Sequence, residues 1–170
     1  MYQSIFRITG KPASILDLGC GLNPLSLPLM GLKKVEYYAY DISRRDVEIL
    51  NRFFAGQHFT REKQNFTGKA EVLDITEFEK IRALPHVDIC FLFKITDIVD
   101  RGQGHKRTEE LMKVIPAQFV VVSFPTRTMS GKRMTAPRRR WMEWMCTRLG
   151  WRYEILTFEN EVVYVVGKIY

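Results

Sequence analysis

The chain has 170 residues, 46% of them hydrophobic and 26% charged, with a formal net charge of +7. That size and balance fit a single globular domain with a proper core, spanning residues 1–170, and no uncharged apolar stretch reaches the roughly 18 residues of a membrane span. Met1-Tyr2-Gln3 does not open a signal peptide, and Cys20, Cys90 and Cys146 are odd in number without C-x-x-C spacing, which argues against a disulfide framework or zinc site and for a reducing cytoplasm.

In chain order, the first apolar run is Ser14-Ile15-Leu16, which leads into Asp17-Leu18-Gly19-Cys20-Gly21. It reads as a strand Ser14–Leu18 ending in an acid, a tight glycine turn and the start of a helix, with Pro24 suited to its first turn. Bare backbone and a carboxylate then meet at the carboxyl end of a parallel strand, where open α/β sheets bind ligands. Pro24 stands where a dinucleotide fingerprint would have its third glycine, and Asp17 would repel a pyrophosphate but suit a cation or an amine. Further strands are predicted at Glu36–Tyr40, Ala70–Leu73, Val87–Phe93, Ala117–Ser123, Arg152–Phe158 and Val162–Lys168. The runs Ile89–Phe93 and Phe119–Val122 are apolar on both faces, as central parallel strands are.

Helices fit between the strands. Ser43 caps one, with Asp46 in its first turn and Val47, Ile49, Leu50, Phe53 and Phe54 on its apolar face. Thr108 is expected to cap another, with Leu111, Met112 and Ile115 inward, and a last helix is expected from Pro137 to Leu149, stopping at Gly150. The polar stretch Gly56–Lys69 reads as a surface loop. The alternation predicts a doubly wound α/β fold. Only Glu159-Asn160-Glu161 joins the last two strands, too few residues for a crossover helix, so they form an antiparallel hairpin in a seven-stranded mixed sheet.

Acids close the first three strands: Asp17, Asp41 and Asp74. At these positions Asp41 can accept hydrogen bonds from ribose hydroxyls and Asp74 can meet an adenine amino group. Lys94 closes the apolar fourth strand, to pair with an acid or to touch a substrate. His58, His86 and His105 show no ligand spacing, so no metal is expected. The excess charge is local: residues 121–153 carry eight Lys and Arg against Glu143 alone, while the rest has 18 of each sign. Such a surface favours a polyanion. Trp141 and Trp144, at i, i+3 spacing, point to the core before base stacking.

The D-x-G-x-G arrangement resembles the first motif of class I S-adenosylmethionine-dependent methyltransferases, whose Rossmann-like sheet ends in the same hairpin. That resemblance implies S-adenosyl-L-methionine as cofactor, held by Asp17, Gly19, Cys20, Gly21, Asn23, Asp41, Ile42, Asp74 and Ile75. No D/N-P-P-Y/F motif follows the fourth strand, and neither Cys20 nor Cys90 has the setting of a nucleophile. Longer stretches look like the aminoglycoside-resistance methyltransferases that modify guanine N7 in 16S ribosomal RNA. They are Gly10-Lys11-Pro12 through Cys20-Gly21-Leu22-Asn23-Pro24-Leu25, Phe91-Leu92-Phe93-Lys94, Val122-Ser123-Phe124-Pro125-Thr126-Arg127 with Ser130-Gly131-Lys132, Trp141-x-x-Trp144, and Asn160-Glu161-Val162-Val163-Tyr164.

The chain departs from that family twice. The N-terminal helical region that docks the small subunit is not found before the first strand, and the family's K-G-M-E-x-N segment is replaced by Arg133-Met134-Thr135-Ala136-Pro137-Arg138-Arg139-Arg140. The resemblance implies a monomeric RNA methyltransferase with ribosomal RNA or the small subunit as partner. Lys94, Ser123, Phe124 and Pro125 would frame its pocket without a general base, and Arg127, Lys132, Arg133, Arg138, Arg139 and Arg140 would hold phosphates. A methyltransferase for a small molecule or protein, and a non-catalytic RNA- or ribosome-binding module, are the alternatives.

Overall fold

In the computed structural model, residues 1–56, 65–102, 104–128, 130–135 and 137–168 are described. Strands β1 (Ser14–Leu18), β2 (Lys34–Asp41), β3 (Asn65–Val72), β4 (Val87–Phe93), β5 (Ala117–Pro125), β6 (Arg152–Thr157) and β7 (Glu161–Gly167) form one sheet. Its order is β3-β2-β1-β4-β5-β7-β6. The first five strands pair in parallel, and β7 lies antiparallel between β5 and β6. The class I methyltransferase architecture and its terminal hairpin are therefore as the sequence predicts.

Burial follows from the strand patterns. In β4, Ile89, Cys90, Phe91 and Leu92 are all fully buried, because helices cover both faces of the central sheet. One face packs Leu16, Leu18, Cys90, Leu92, Val120 and Val122 against Ile81, Leu111, Met112, Met142 and Met145. These come from α3 (Phe78–Arg82), α5 (Lys106–Val114) and α6 (Arg140–Arg148), and the short α4 (Thr96–Asp100) adds Val99 to the same cluster. The other face packs Ile15, Tyr37, Phe91 and Val121 against Ile5, Phe6, Leu27, Val47 and Leu50, from α1 (Tyr2–Thr9), the 3-10 helix Asn23–Met30 and α2 (Arg44–Gly56). Each such aliphatic side chain stabilises the fold by roughly 1.5–3 kcal/mol. All three cysteines are free and buried.

Several elements differ from the sequence-based expectation. Helix α1 was not anticipated; its short sequence shows one adjacent buried pair, Ile5-Phe6, and no capping side chain. The helix after Pro24 is 3-10, with Pro28 inside it, where a missing N–H and the ring interrupt an α-helical ladder. Strand β3 starts at Asn65, so the end of the predicted loop is strand, and residues 57–64, His58 among them, lie outside the described residues. Thr108 does not cap α5. The helix starts two residues earlier, and Thr108 is fully buried, its N–H donating to Asp100 Oδ1 at 3.0 Å. Helix α6 starts at Arg140 rather than Pro137, because Arg139 is held out of the helical region and donates its backbone N–H to Tyr164 Oη at 2.7 Å. Ser43 does cap α2, accepting the Asp46 N–H at 3.3 Å.

Candidate active site

The sheet order sets the strand-end residues side by side along the carboxyl edge of the sheet: Asp74 beyond β3, Asp41 at the end of β2, Asp17 in β1, Lys94 after β4 and Ser123–Pro125 at the end of β5. Because β7 runs antiparallel, its first residue, Glu161, arrives at the same edge opposite Pro125. A hollow of about 820 Å³ lies at the opposite edge, lined by Phe119, Trp151 and Tyr153 among others. It carries none of the convergent acids, so the chemistry belongs to the carboxyl edge.

The glycine turn is clamped to β2. The N–H groups of Gly19 and Cys20 both donate to the Tyr40 carbonyl, at 2.8 and 3.1 Å, and Gly21 N–H donates to Asp41 Oδ2 at 2.8 Å. Gly19 and Gly21 have φ of +64° and +48°, which side-chain-bearing residues rarely adopt. A Cβ on Gly19 would come within 2.8 Å of Ile95, whereas one on Gly21 would meet nothing within 4 Å. Gly19 thus serves packing, and Gly21 faces open space. Asp41 Oδ1 also accepts the Ser43 N–H at 2.8 Å, and spare lone pairs remain on both oxygens for a diol.

Asp17 is only 1% exposed. Its Oδ2 accepts from Asn23 Nδ2 at 2.8 Å and from Tyr37 Oη at 2.7 Å. Asn23 in turn accepts from Tyr2 Oη at 2.6 Å. Asp17 Oδ1 is buried with no partner, an uncommon and costly state for a carboxylate oxygen. Burial above all, with Asp41 nearby, pushes the carboxyl up from 3.8 to about 6 against the opposing pull of the Asn23 and Tyr37 hydrogen bonds. A cation placed at Oδ1 would reverse that. Asp74 Oδ1 accepts both the N–H and the hydroxyl of Thr76, at 2.8 Å each, and the backbone N–H above all holds its carboxyl below the usual range. Ile42 is 68% exposed beside Asp41, and Ile75 is buried beside Asp74. Cys20 is buried and its thiol is pushed well up, chiefly by burial, so it offers backbone rather than a thiolate.

On the other side of the edge, Lys94 has φ +57°, uncommon for a residue with a side chain. Its N–H donates to the Ser123 carbonyl at 3.0 Å, and its Nζ pairs with Glu161 at 2.5 Å. Of the two roles read for this lysine, pairing with an acid is the one present. Ser123 is fully buried, and its Oγ has no hydrogen-bond partner. Phe124 packs into the core, edge-on to Trp141 and Tyr164, and Pro125 is half-buried.

The six cations of the basic segment divide. Lys132, Arg133 and Arg140 are exposed. Arg127 donates to Asn160 Oδ1 and the Gly131 carbonyl and lies near Glu159. Arg138 grips Glu143 with two nitrogens, at 3.0 and 2.6 Å. Arg139 lies 5.1 Å over the Phe124 ring. Sequence reasoning missed Tyr2, Tyr37, Ile95 and Glu161. Of these Tyr37 left a signal, since it alternates with the buried Val35 and Ala39 in β2, and Glu161 stands in the family-like stretch Asn160–Tyr164.

A family model described as "Ribosomal RNA methyltransferase (FmrO)" matches residues 1–165. The chain belongs to this ribosomal RNA methyltransferase family. A 16S rRNA (guanine(1405)-N(7))-methyltransferase of Frankia casuarinae is 31% identical over 98% of this chain and 56% of its own length. One with the same name from Micromonospora rosea is 30% identical over 98% of the chain and 58% of its own. Among solved structures, the 16S rRNA methylase ArmA superposes with a TM-score of 0.73 at 25% identity, covering 99% of this chain and 80% of ArmA. The 16S rRNA methyltransferase RmtF, solved in complex with S-adenosyl-L-homocysteine, gives 0.74 at 25% identity over 98% of this chain and 60% of RmtF. The chain thus spans a little over half the length of the curated relatives it matches.

Proposed function

We propose that this chain is the catalytic domain of an S-adenosylmethionine-dependent methyltransferase acting on guanine N7 of 16S ribosomal RNA. The observation that carries the reading is the unpartnered Asp17 Oδ1 beside the open face of Gly21, with Asp41 and Asp74 in order along the same edge. These residues fit the cofactor. Asp17 would take the amino group of its amino acid end and Asp41 its ribose hydroxyls, while Asp74 would take the adenine amino group between Ile42 and Ile75. Gly19, Cys20 and Asn23 keep the turn in the shape this requires.

Bound there, S-adenosylmethionine supplies an electrophilic methyl group on a sulfonium. Guanine N7 has a free lone pair and no proton at neutral pH, so no side chain has to act as a base. The chain's task is to position the base and to exclude water. Lys94, held by Glu161, and Pro125 would flank the base, with Ser123 Oγ as a hydrogen-bonding group behind it; Phe124 would support that wall from the core. A paired guanine would leave its stack to reach this depth. Lys132, Arg133 and Arg140 would bind backbone phosphates, with Arg127, Arg138 and Arg139 shaping the loop that presents them.

The reading places the protein in the cytoplasm as a monomer with the small ribosomal subunit as partner, and it needs no metal or membrane. The test is transfer of tritiated methyl from S-adenosylmethionine to 30S subunits and to purified 16S RNA, with the modified base mapped. Label at a guanine N7 is expected. No label on either substrate, while the cofactor binds, would contradict the assignment.

A further inference from the structure

Helix α6 turns Met142, Met145 and Cys146 into the core and presents the opposite face to solvent. On that face Arg140, Trp144 and Arg148 follow one another at i, i+4 and i+8, about 6 Å apart along the axis. All three are exposed, Trp144 to 71%. A bare indole of this size on a surface otherwise covered by charge is an unusual use of an aromatic. Beside it is a hollow of about 200 Å³ shared by Lys106, Glu109, Trp141, Trp144 and Arg148. Glu109, the acid lining it, is bridged by both Arg148 and Lys113, so the surroundings stay cationic. Inside the hollow the His105 ring lies flat on Trp141, with centroids 3.8 Å apart and planes 9° apart. One indole is therefore already stacked, and the next along the helix offers its face to solvent.

We propose that Trp144, flanked by Arg140 and Arg148 on the helix that follows β5, is a stacking platform for an unpaired base of the RNA substrate, separate from the target base. The proposal rests on the RNA reading above. Arg140, one turn before Trp144, is the cation placed for a phosphate beside the stacked base, while Arg148, held by Glu109, edges the platform. The cations exclude a basic partner surface of the kind that Glu- and Asp-rich faces attract, and a flat ring between cations suits a nucleobase better than an aliphatic side chain. Duplex RNA, whose bases are already stacked, gains nothing from the platform.

The test compares the wild-type chain with Trp144→Ala and Trp144→Phe, both at an exposed position that the core does not depend on. Binding is measured by fluorescence anisotropy to an unstructured single-stranded RNA and to a fully paired duplex, and affinity for S-adenosylhomocysteine is measured beside it. Trp144→Ala is expected to weaken single-strand binding about tenfold. Trp144→Phe should retain most of it, and duplex and cofactor affinities should stay unchanged. Equal loss on single strand and duplex would overturn stacking. Unchanged RNA binding by Trp144→Ala, in a chain whose wild type methylates 16S RNA, would overturn the platform and leave the proposed function standing. Unchanged RNA binding with reduced self-association in sedimentation would assign Trp144 to a contact between copies instead. A wild-type chain with no affinity for any RNA would overturn both readings.

Discussion

The acids and the cations of the carboxyl edge are built differently. Asp17, Asp41 and Asp74 sit at the ends of adjacent parallel strands, and each accepts two hydrogen bonds from groups within a few residues of the edge. Their positions follow from backbone geometry. Of the six cations between Arg127 and Arg140, three are engaged within the protein, by Asn160 and Glu159, by Glu143 and by the Phe124 ring. Lys132, Arg133 and Arg140 point outward from a loop and a helix start. A charge count therefore overstates the surface available to a polyanion, whereas each strand-end acid keeps its place on the carboxyl edge.

The largest expected effect that would sharpen this contrast is on Asp41. Asp41→Ala removes the acceptor for both Gly21 and Ser43 N–H, so S-adenosylhomocysteine affinity should fall by more than about a hundredfold, as read by calorimetry, with RNA affinity retained. Next is the triple replacement of Lys132, Arg133 and Arg140 by Ala. RNA binding should weaken, and the slope of log affinity against log salt should fall by roughly 0.7–0.9 for each lost phosphate contact. Arg138→Ala should leave that slope nearly unchanged, because its guanidinium is held by Glu143. A slope change as large for Arg138 as for Arg140 would break the distinction.

Acid conditions give a third effect. Burial raises Asp17 from 3.8 to about 6. A raised carboxyl favours the folded free protein below pH 3.8, and this contribution is lost as pH rises through about 6. Cofactor binding has the opposite sign, since an ammonium at Oδ1 needs the carboxylate. Affinity should be flat above pH 6 and fall about tenfold per unit below it, and Asp17→Asn should be weak and flat. The smallest effect is Tyr2→Phe, which removes the hydroxyl that braces Asn23. A loss of about 1 kcal/mol, or roughly fivefold in cofactor affinity with kcat unchanged, is expected.

What was legible in the sequence follows the same line. Period and strand-end chemistry are local, so β1, β4, β5 and the three acids could be read directly, as could the Ser43 cap. The partner of Lys94 could not, because Glu161 reaches it only through the insertion of β7 between β5 and β6. Tyr2 was hidden because α1 has too short an apolar pattern to announce a helix. The i, i+3 spacing of Trp141 and Trp144 suggests a shared core face. On a nine-residue helix whose core side is Met142, Met145 and Cys146, Trp144 instead falls nearly opposite that side. Ser123 and Phe124 were expected to line a pocket; both are buried, one with an unpartnered hydroxyl and the other as a core ring. Strand-end position alone does not separate facing a site from supporting it.

The division of the edge into an acidic cofactor half and a basic RNA half is tested most directly by cross-titration. S-adenosylhomocysteine and 16S RNA would each be titrated into Asp41→Ala and into the Lys132, Arg133 and Arg140 triple variant, under the same salt. The account predicts that the first variant loses only the cofactor and the second only RNA. Equal loss of both ligands by either variant would contradict it.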